Sequence, residues 1–285
     1  MKILIIQEYS RHAENAQYRE CLCLQRAFQR AGWEADVWGL GHSNYCVFPD
    51  YNSYDVIFNC ENYGDHWLPD LTDVTKPYKI FYAVDPHIRG LAPYQQIVKN
   101  QGYNMLFSAV RDFTAQDPQN MAWMPPAIDK DLFYNKNLTR DIPLGFVGNE
   151  TEFTRKLLLE YMTTLYGLQQ HIKIFGDAMV DLLNRFQIGF NKNMGNDTNY
   201  RSFESIACGA MLFTDNNPAY HDLGFVHGVN CYLYSSVDDL KYGIKDLLKR
   251  PDIIQSIAKE GEKLAVNHTY DQRVAGMIDF VKSKI

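Results

Sequence analysis

Short apolar runs alternate with longer amphipathic stretches through the first half of this 285-residue chain. Lys2-Ile3-Leu4-Ile5-Ile6-Gln7 is a continuous apolar run, the pattern of a parallel strand covered on both faces. From 15 to 31, Leu22, Leu24, Ala27 and Phe28 suit one face of a helix that Gly32 stops. Further strands are predicted over 34–38, 55–59, 79–84, 104–108 and, briefly, 122–124, with helical pieces between several of them. Strands alternating with helices predict a doubly wound α/β sheet.

Met124-Pro125-Pro126-Ala127 breaks this rhythm, and a polar stretch over 135–141 runs into Pro143, so an interdomain linker is expected here. The rhythm restarts at Leu144-Gly-Phe-Val-Gly148. A helix is predicted over 153–166, a strand over 172–175 ending at Gly176, a helix over 178–185 and a strand over 187–191. Residues 199–215 then read as a helix, a glycine stop at Gly209 and an apolar strand over 210–214. A strand over 231–234 and helices over 238–249, 251–266 and 270–282 complete the chain.

The segment 199–215 carries the sharpest chemistry. Arg201 and Glu204 stand three apart and share one helical face, while Phe203, Ile206 and Ala207 point toward a core. A cation and a carboxylate near a helix N-terminus, at the edge of a sheet, suit a phosphorylated, hydroxyl-bearing ligand. The plainer reading is a surface ion pair worth about 0.3–0.5 kcal/mol. Asp197 or Thr198 reads as the N-cap of this helix. Strand ends elsewhere give weaker candidates, because open α/β sheets bind ligands there. Gly148-Asn149 and Phe175-Gly176-Asp177 end strands in the second half, and Arg155 opens the helix after the first of them. In the first half, Asp85 and His87 could position or deprotonate an acceptor hydroxyl, or form a plain Asp-Pro turn with an exposed histidine. Glu8-Tyr9-Ser10-Arg11 and Cys60-Glu61-Asn62 are further candidates on that side.

Composition narrows the function class. A net charge of −6 without a basic run disfavours broad electrostatic capture of nucleic acid or an anionic membrane. The apolar run Ile3-Leu4-Ile5-Ile6 is too short for a signal peptide or a membrane span, so a cytoplasmic location is expected. None of the six cysteines forms a CxxC pair, which argues for reduced thiols rather than a zinc site. Asp65 and His66 lie close together but do not make a metal site, and no DxD pattern appears.

The second half resembles the CgeB-like branch of the group 1 glycosyltransferases. The resemblance rests on four elements in order: Gly145-Phe-Val-Gly148 followed by Arg155; Ile188-Gly-Phe-Asn191; Arg201-Ser-Phe-Glu-Ser-Ile-Ala-Cys-Gly-Ala210 with Asp215 after it; and Asp239-Leu240, Ile257-Ala-Lys-Glu-Gly261 and His268-Thr-Tyr-Asp-Gln-Arg273. It covers about residues 140–285, while the first half is similar only in architecture and in Pro125-Pro-Ala-Ile-Asp129.

The resemblance implies a GT-B fold, two doubly wound, Rossmann-like α/β domains facing across a cleft. It assigns 1–138 to an acceptor-side domain, 139–268 to a nucleotide-sugar-binding domain, and 269–285 to a helix packing back on the first. It implies a hexosyl- or pentosyltransferase with no tightly bound cofactor and no metal, retaining the anomeric configuration, with a UDP-sugar as donor. Gly148, Asn149, Arg155, Gly176, Asn196, Arg201, Ser202 and Glu204 are its expected donor-binding residues. Glu204 would take the ribose hydroxyls and Arg201 the diphosphate. Asp85, His87 and Arg201 are the expected catalytic residues. Asn196 occupies the place where many relatives carry a second glutamate near the donor sugar, which leaves that sugar open. The acceptor is open among a polysaccharide, a protein, a metabolite and a modified nucleic-acid base. Other readings of the same architecture are a non-catalytic nucleotide-sugar-binding protein and a nucleotide-sugar epimerase.

Overall fold

A computed structural model describes residues 1–9, 13–62, 64 and 66–285. Of the candidates above, Ser10, Arg11 and Asp65 lie outside the described residues. The strands are β1 (Lys2–Ile6), β2 (Glu34–Trp38), β3 (Val56–Cys60), β4 (Tyr78–Ala83), β5 (Met105–Ser108), β6 (Met121–Trp123), β7 (Ile142–Gly148), β8 (Gln169–Ile172), β9 (Phe186–Phe190), β10 (Met211–Asp215) and β11 (Tyr232–Tyr234). The helices are α1 (Glu20–Arg30), α2 (Pro86–Arg89), α3 (Ala92–Asn100), α4 (Arg111–Thr114), α5 (Phe153–Tyr166), α6 (Gly176–Arg185), α7 (Tyr200–Ala207), α8 (Pro218–Asp222), α9 (Val237–Leu247), α10 (Pro251–Ala265) and α11 (Tyr270–Lys282).

The chain divides into two compact units, one of residues 1–125 with 270–285 and the other of residues 126–269. The first holds a six-stranded sheet in the order β2-β1-β3-β4-β5-β6, with every neighbouring pair parallel. Its core gathers Leu4, Ile6, Trp38, Ile57, Phe81, Tyr94 and Leu106. Within this unit α11 packs on α1 through a two-pronged ion pair, Arg30 Nε and Nη2 donating to the Asp271 carboxylate at 2.6 and 2.8 Å. The second unit holds a five-stranded parallel sheet in the order β11-β10-β9-β7-β8. Its core gathers Leu144, Phe146, Leu159, Ile188, Phe190, Phe213, Leu240 and Ile244. Many of the aromatics are core: Trp38, Tyr82, Tyr94, Tyr220, Phe28, Phe58 and Phe203 are among the largest fully buried side chains.

The strand order fixes where each sheet reverses direction. In the first unit the chain leaves β1 for β2 on one side and continues with β3 on the other. In the second it leaves β7 for β8 on one side and continues with β9 on the other. The crevice outside the carboxyl ends of such a strand pair is where open α/β sheets hold ligands.

Two predicted elements shift. The helix expected over 15–31 is split into a 3-10 turn, Ala13–Tyr18, and α1, because Arg19 between them takes extended dihedrals. The strand expected over 172–175 lies at 169–172. Lys173 turns into the left-handed region at φ +57° and ends it, and Gly176 at φ +60° starts α6 two residues ahead of the predicted helix.

Candidate functional site

The second unit builds a polar rim where β7 and β9 diverge. Glu152 caps α5, its carboxylate accepting the backbone N–H of Thr154 at 2.8 Å and of Arg155 at 2.6 Å. This cap sets the first turn of α5 and aims Arg155 back over the sheet. Its guanidinium donates to the Lys192 carbonyl from Nε (3.1 Å) and Nη2 (2.7 Å), and to the Asn149 carbonyl from Nη1 (3.2 Å). One cation therefore spans the carboxyl ends of β7 and β9. Far from sitting in solvent, Arg155 is 9% exposed, and burial lowers its proton affinity against the opposing pull of Asp197. Gly148 is half-buried beside it and Asn149 is exposed.

Below this rim lies a buried amide and hydroxyl network that ties the loop 191–199 to α7, β10 and α8. Asn193 Nδ2 donates to the Tyr220 hydroxyl at 2.9 Å, and that hydroxyl lies 2.6 Å from Ser202 Oγ. Asn191 Nδ2 reaches Asn193 Oδ1 at 3.1 Å and Thr214 Oγ1 at 3.2 Å. Asp215 accepts the backbone N–H of Asn193 at 2.8 Å and pairs with Lys192 at 2.9 Å. Ser202, expected as a donor contact, is fully buried with its hydroxyl in this network.

Helix α7 is buried along most of its length: Ser202, Phe203, Glu204, Ser205, Ile206 and Ala207 are all covered. Its N-cap is Asn199, which makes no side-chain capping bond. The expected caps are otherwise engaged or aimed: Asp197 Oδ1 accepts the Met194 N–H at 2.9 Å, and Thr198 Oγ1 is buried with no hydrogen-bond partner. Asn199 donates from Nδ2 to Asn191 Oδ1 at 3.1 Å, and its own Oδ1 is also buried without a partner. Two unmet polar atoms thus flank the start of α7, and such groups are rare in buried positions.

Arg201 and Glu204 face each other and pair directly, and Arg201 Nη1 also lies 3.0 Å from Met179 Sδ on α6. Glu204 is 7% exposed. Asn196 is exposed on the preceding loop, and Gly176 is buried at the first turn of α6. Arg155, Arg201, Glu204 and Asn196 all belong to the second unit, whereas Asp85 and His87 belong to the first.

In the first unit, residues after β1, β3 and β4 meet at the corresponding reversal. Asn62 Oδ1 accepts the Glu8 N–H at 2.7 Å, joining the ends of β1 and β3. Glu61 is 8% exposed and accepts the backbone N–H groups of Val84 at 2.7 Å and Asp85 at 2.8 Å. A small cavity of about 40 Å³ is lined by Gln7, Arg19, Glu20, Glu61, Asp85 and Arg89, among others. Burial, followed by Glu61, pushes the Asp85 carboxyl up to about 6, with Arg89 pulling the other way. His87 is half-buried on α2. Arg19, Glu20, Lys192, Asn193 and Tyr220 were not singled out by sequence, since no local spacing marks a residue that acts across a sheet. Among the described residues, no group of three or more His, Cys, Asp or Glu could hold a metal ion, and no helix is long and apolar enough to cross a membrane.

Comparison with known proteins places this architecture. A comparison with curated proteins finds no match. Solved structures similar over nearly the whole chain include sucrose-phosphate synthase from Thermosynechococcus elongatus, at TM-score 0.68 and 12% identity, covering 99% of each chain. HepE of Anabaena, solved with UDP and glucose, aligns at TM-score 0.64 and 13% identity over 98% of this chain and 99% of its own. An alpha-glucosyltransferase solved with UDP and a 13-mer DNA aligns at TM-score 0.67 and 12% identity over 99% and 100%. At these identities the likeness shows the fold, and it is the GT-B class expected from sequence. A family model described as glycosyl transferase-like matches residues 136–279. That match spans α7 and both strands that flank the reversal in the second unit, and over half of the sequence, so the chain belongs to the glycosyl transferase-like family.

Proposed function

We propose that the protein transfers a sugar from a nucleotide diphosphate sugar to an acceptor hydroxyl. The observation that carries this reading is Arg155 bridging the reversal of the second sheet, in the same unit as the Arg201–Glu204 pair on the helix that bears the family motif. A carboxylate can accept two adjacent ribose hydroxyls at once, which suits Glu204 to the nucleoside. Arg155 and Arg201 would offset the charge that develops on the diphosphate as the sugar departs. Gly148 and Asn149 would let backbone approach the phosphates, and Gly176 would border the base. The unmet atoms of Thr198 and Asn199, with Asn196 beside them, would meet hydroxyls of the sugar.

The donor is a UDP-sugar: HepE and the alpha-glucosyltransferase, which share the fold, were solved with UDP. Residues 139–268 take the donor and 1–138 the acceptor, with Asp85 and His87 orienting the acceptor hydroxyl. The reaction retains configuration and needs no metal. A polysaccharide, a protein, a metabolite and a modified nucleic-acid base remain acceptor classes; one structural relative was solved with DNA, while the net charge of −6 here weighs against that class.

Thermal-shift screening against nucleotide sugars, followed by release assays with acceptor mixtures, tests this reading. A bound donor raises the melting temperature with its concentration. Failure of every nucleotide sugar to release a nucleoside diphosphate, with or without acceptors, would reject transferase chemistry.

A further inference from the structure

Glu61 is a buried carboxylate of the first unit with several hydrogen-bond donors around it. Its Oε2 accepts two backbone N–H groups, from Val84 at 2.7 Å and Asp85 at 2.8 Å. Its Oε1 accepts the Tyr94 hydroxyl at 2.6 Å and lies 3.3 Å from Arg89 Nε. Two consecutive N–H groups converging on one oxygen fix the peptide between Val84 and Asp85. The Asp85 backbone leaves the strand there at φ −114° and ψ 42°, and its side chain makes no capping bond to α2. So the direction in which Asp85 points is set by a side chain from the neighbouring strand.

We propose that Glu61 is the positioning residue of the acceptor side, fixing Asp85 and keeping its carboxylate basic enough to take a proton from the acceptor hydroxyl. This inference rests on the reading of Asp85 given above. In the step itself, the acceptor O–H bond breaks and its oxygen bonds to the anomeric carbon on the face that the diphosphate leaves, as retention of configuration requires. The bond from that carbon to the phosphate oxygen breaks, the diphosphate leaves with the electron pair, and the proton passes to Asp85.

The electrostatics act in the same direction. Burial is the largest cause of the raised Asp85 value of about 6, Glu61 is the next, Glu20 on α1 adds to it, and Arg89 on α2 opposes it. Other charged or titratable groups described nearby include Arg19, which lines the same cavity, Tyr82 and Tyr94, each of which interacts with Asp85, and His87, two residues on. A carboxylate held this close to a second one binds its proton more tightly, because ionising both places like charges together. Tuning a base toward the working pH is how such groups become effective.

Carbon-13 NMR of aspartate-labelled full-length protein, with the Asp85 signal assigned by its loss in Asp85→Asn, reads this directly and needs no substrate. Glu61→Gln should lower the Asp85 midpoint, and Glu61→Asp, which keeps the charge, should retain most of the native value. Arg89→Gln should raise the midpoint, and it reports even if Glu61→Gln does not fold. Once a substrate is found, the acidic limb of the kcat/KM profile should move with these midpoints while the donor KM stays constant. An Asp85 midpoint unmoved by both Glu61→Gln and Arg89→Gln, or equal losses in Glu61→Gln and Glu61→Asp, would overturn the proposal. If instead Asp85→Asn keeps full transferase activity, the role of Asp85 falls, while the NMR still judges its coupling to Glu61.

Discussion

Arg201 and Glu204 form a direct ion pair on α7, with Glu204 the more deeply covered partner at 9% side-chain exposure against 17%. A ligand that engages both groups must share or open this pair. The two substitutions should therefore behave differently. Glu204→Ala removes the carboxylate proposed to accept the ribose hydroxyls, and nucleotide affinity measured by calorimetry should fall by about 10- to 100-fold, as for loss of a hydrogen bond to a charged group. Arg201→Ala takes the guanidinium away from a buried carboxylate, so it should also cost about 1–3 kcal/mol of stability in a denaturant titration. Unchanged UDP binding in Glu204→Ala would remove the central residue of the donor site.

Tyr220 links three layers beneath that site. Its hydroxyl contacts Ser202 on α7 at 2.6 Å, Asn193 in the loop at 2.9 Å and Thr214 on β10 at 3.4 Å. Tyr220→Phe keeps the ring and its edge contact with Phe225 but takes one partner from each of Ser202, Asn193 and Thr214 in the buried network. A loss of about 1–3 kcal/mol in stability is expected. Nucleotide affinity should fall as well, because the loop 191–199 loses an anchor. If Tyr220→Phe melts like the native protein, the network has a partner that compensates and is not the support for α7.

Most of the architecture was legible in the chain because it is written locally. Continuous apolar runs gave the covered parallel strands, and Gly209 marked the end of α7, where it sits at φ +76°. The strand before α6 was misplaced because its end depends on Lys173, a non-glycine residue in the left-handed region that no composition rule favours. At the site, the spacing of Arg201 and Glu204 was readable, but their mutual pairing was not distinguished from two contacts to a ligand. The burial of Ser202 and the span of Arg155 from Asn149 to Lys192 depend on partners brought in from other strands, which sequence spacing does not encode.

Gly209 offers a sharp test of how α7 is stopped. Its left-handed backbone already disfavours a side chain, and an added Cβ would come within 2.7 Å of Asn135 Nδ2. The guanidinium of Arg140 stands in the same space, donating to the Cys208 carbonyl at 2.7 Å. Gly209→Ala should therefore destabilise by about 1–2 kcal/mol from the backbone alone, with more from displacement of Arg140. Chemical denaturation measures this, and a neutral result would mean that the chain reverses here without the left-handed turn.

Asp85 should make the protein less stable as the pH rises through the acid range. Its folded value is raised to about 6, above the ordinary carboxylate value, so the folded chain holds this proton more tightly than the unfolded chain. Where the folded state binds more protons, stability falls with rising pH. The penalty is absent below about pH 4, grows between about pH 4 and 6, and is complete above that, reaching about 2–3 kcal/mol at most for a shift of about two units. Asp85→Asn removes the ionisation, so it should raise Tm at about pH 7 and leave it nearly unchanged at about pH 3.5. That same substitution should abolish or sharply lower transfer to an acceptor while leaving UDP binding intact. A stabilised, inactive, donor-binding variant is the expected combination, because burial and Glu61 hold the group in a state that favours proton capture over folding stability. Equal melting temperatures for the two proteins across the whole range would show that Asp85 ionises as freely in the folded chain as in the unfolded one.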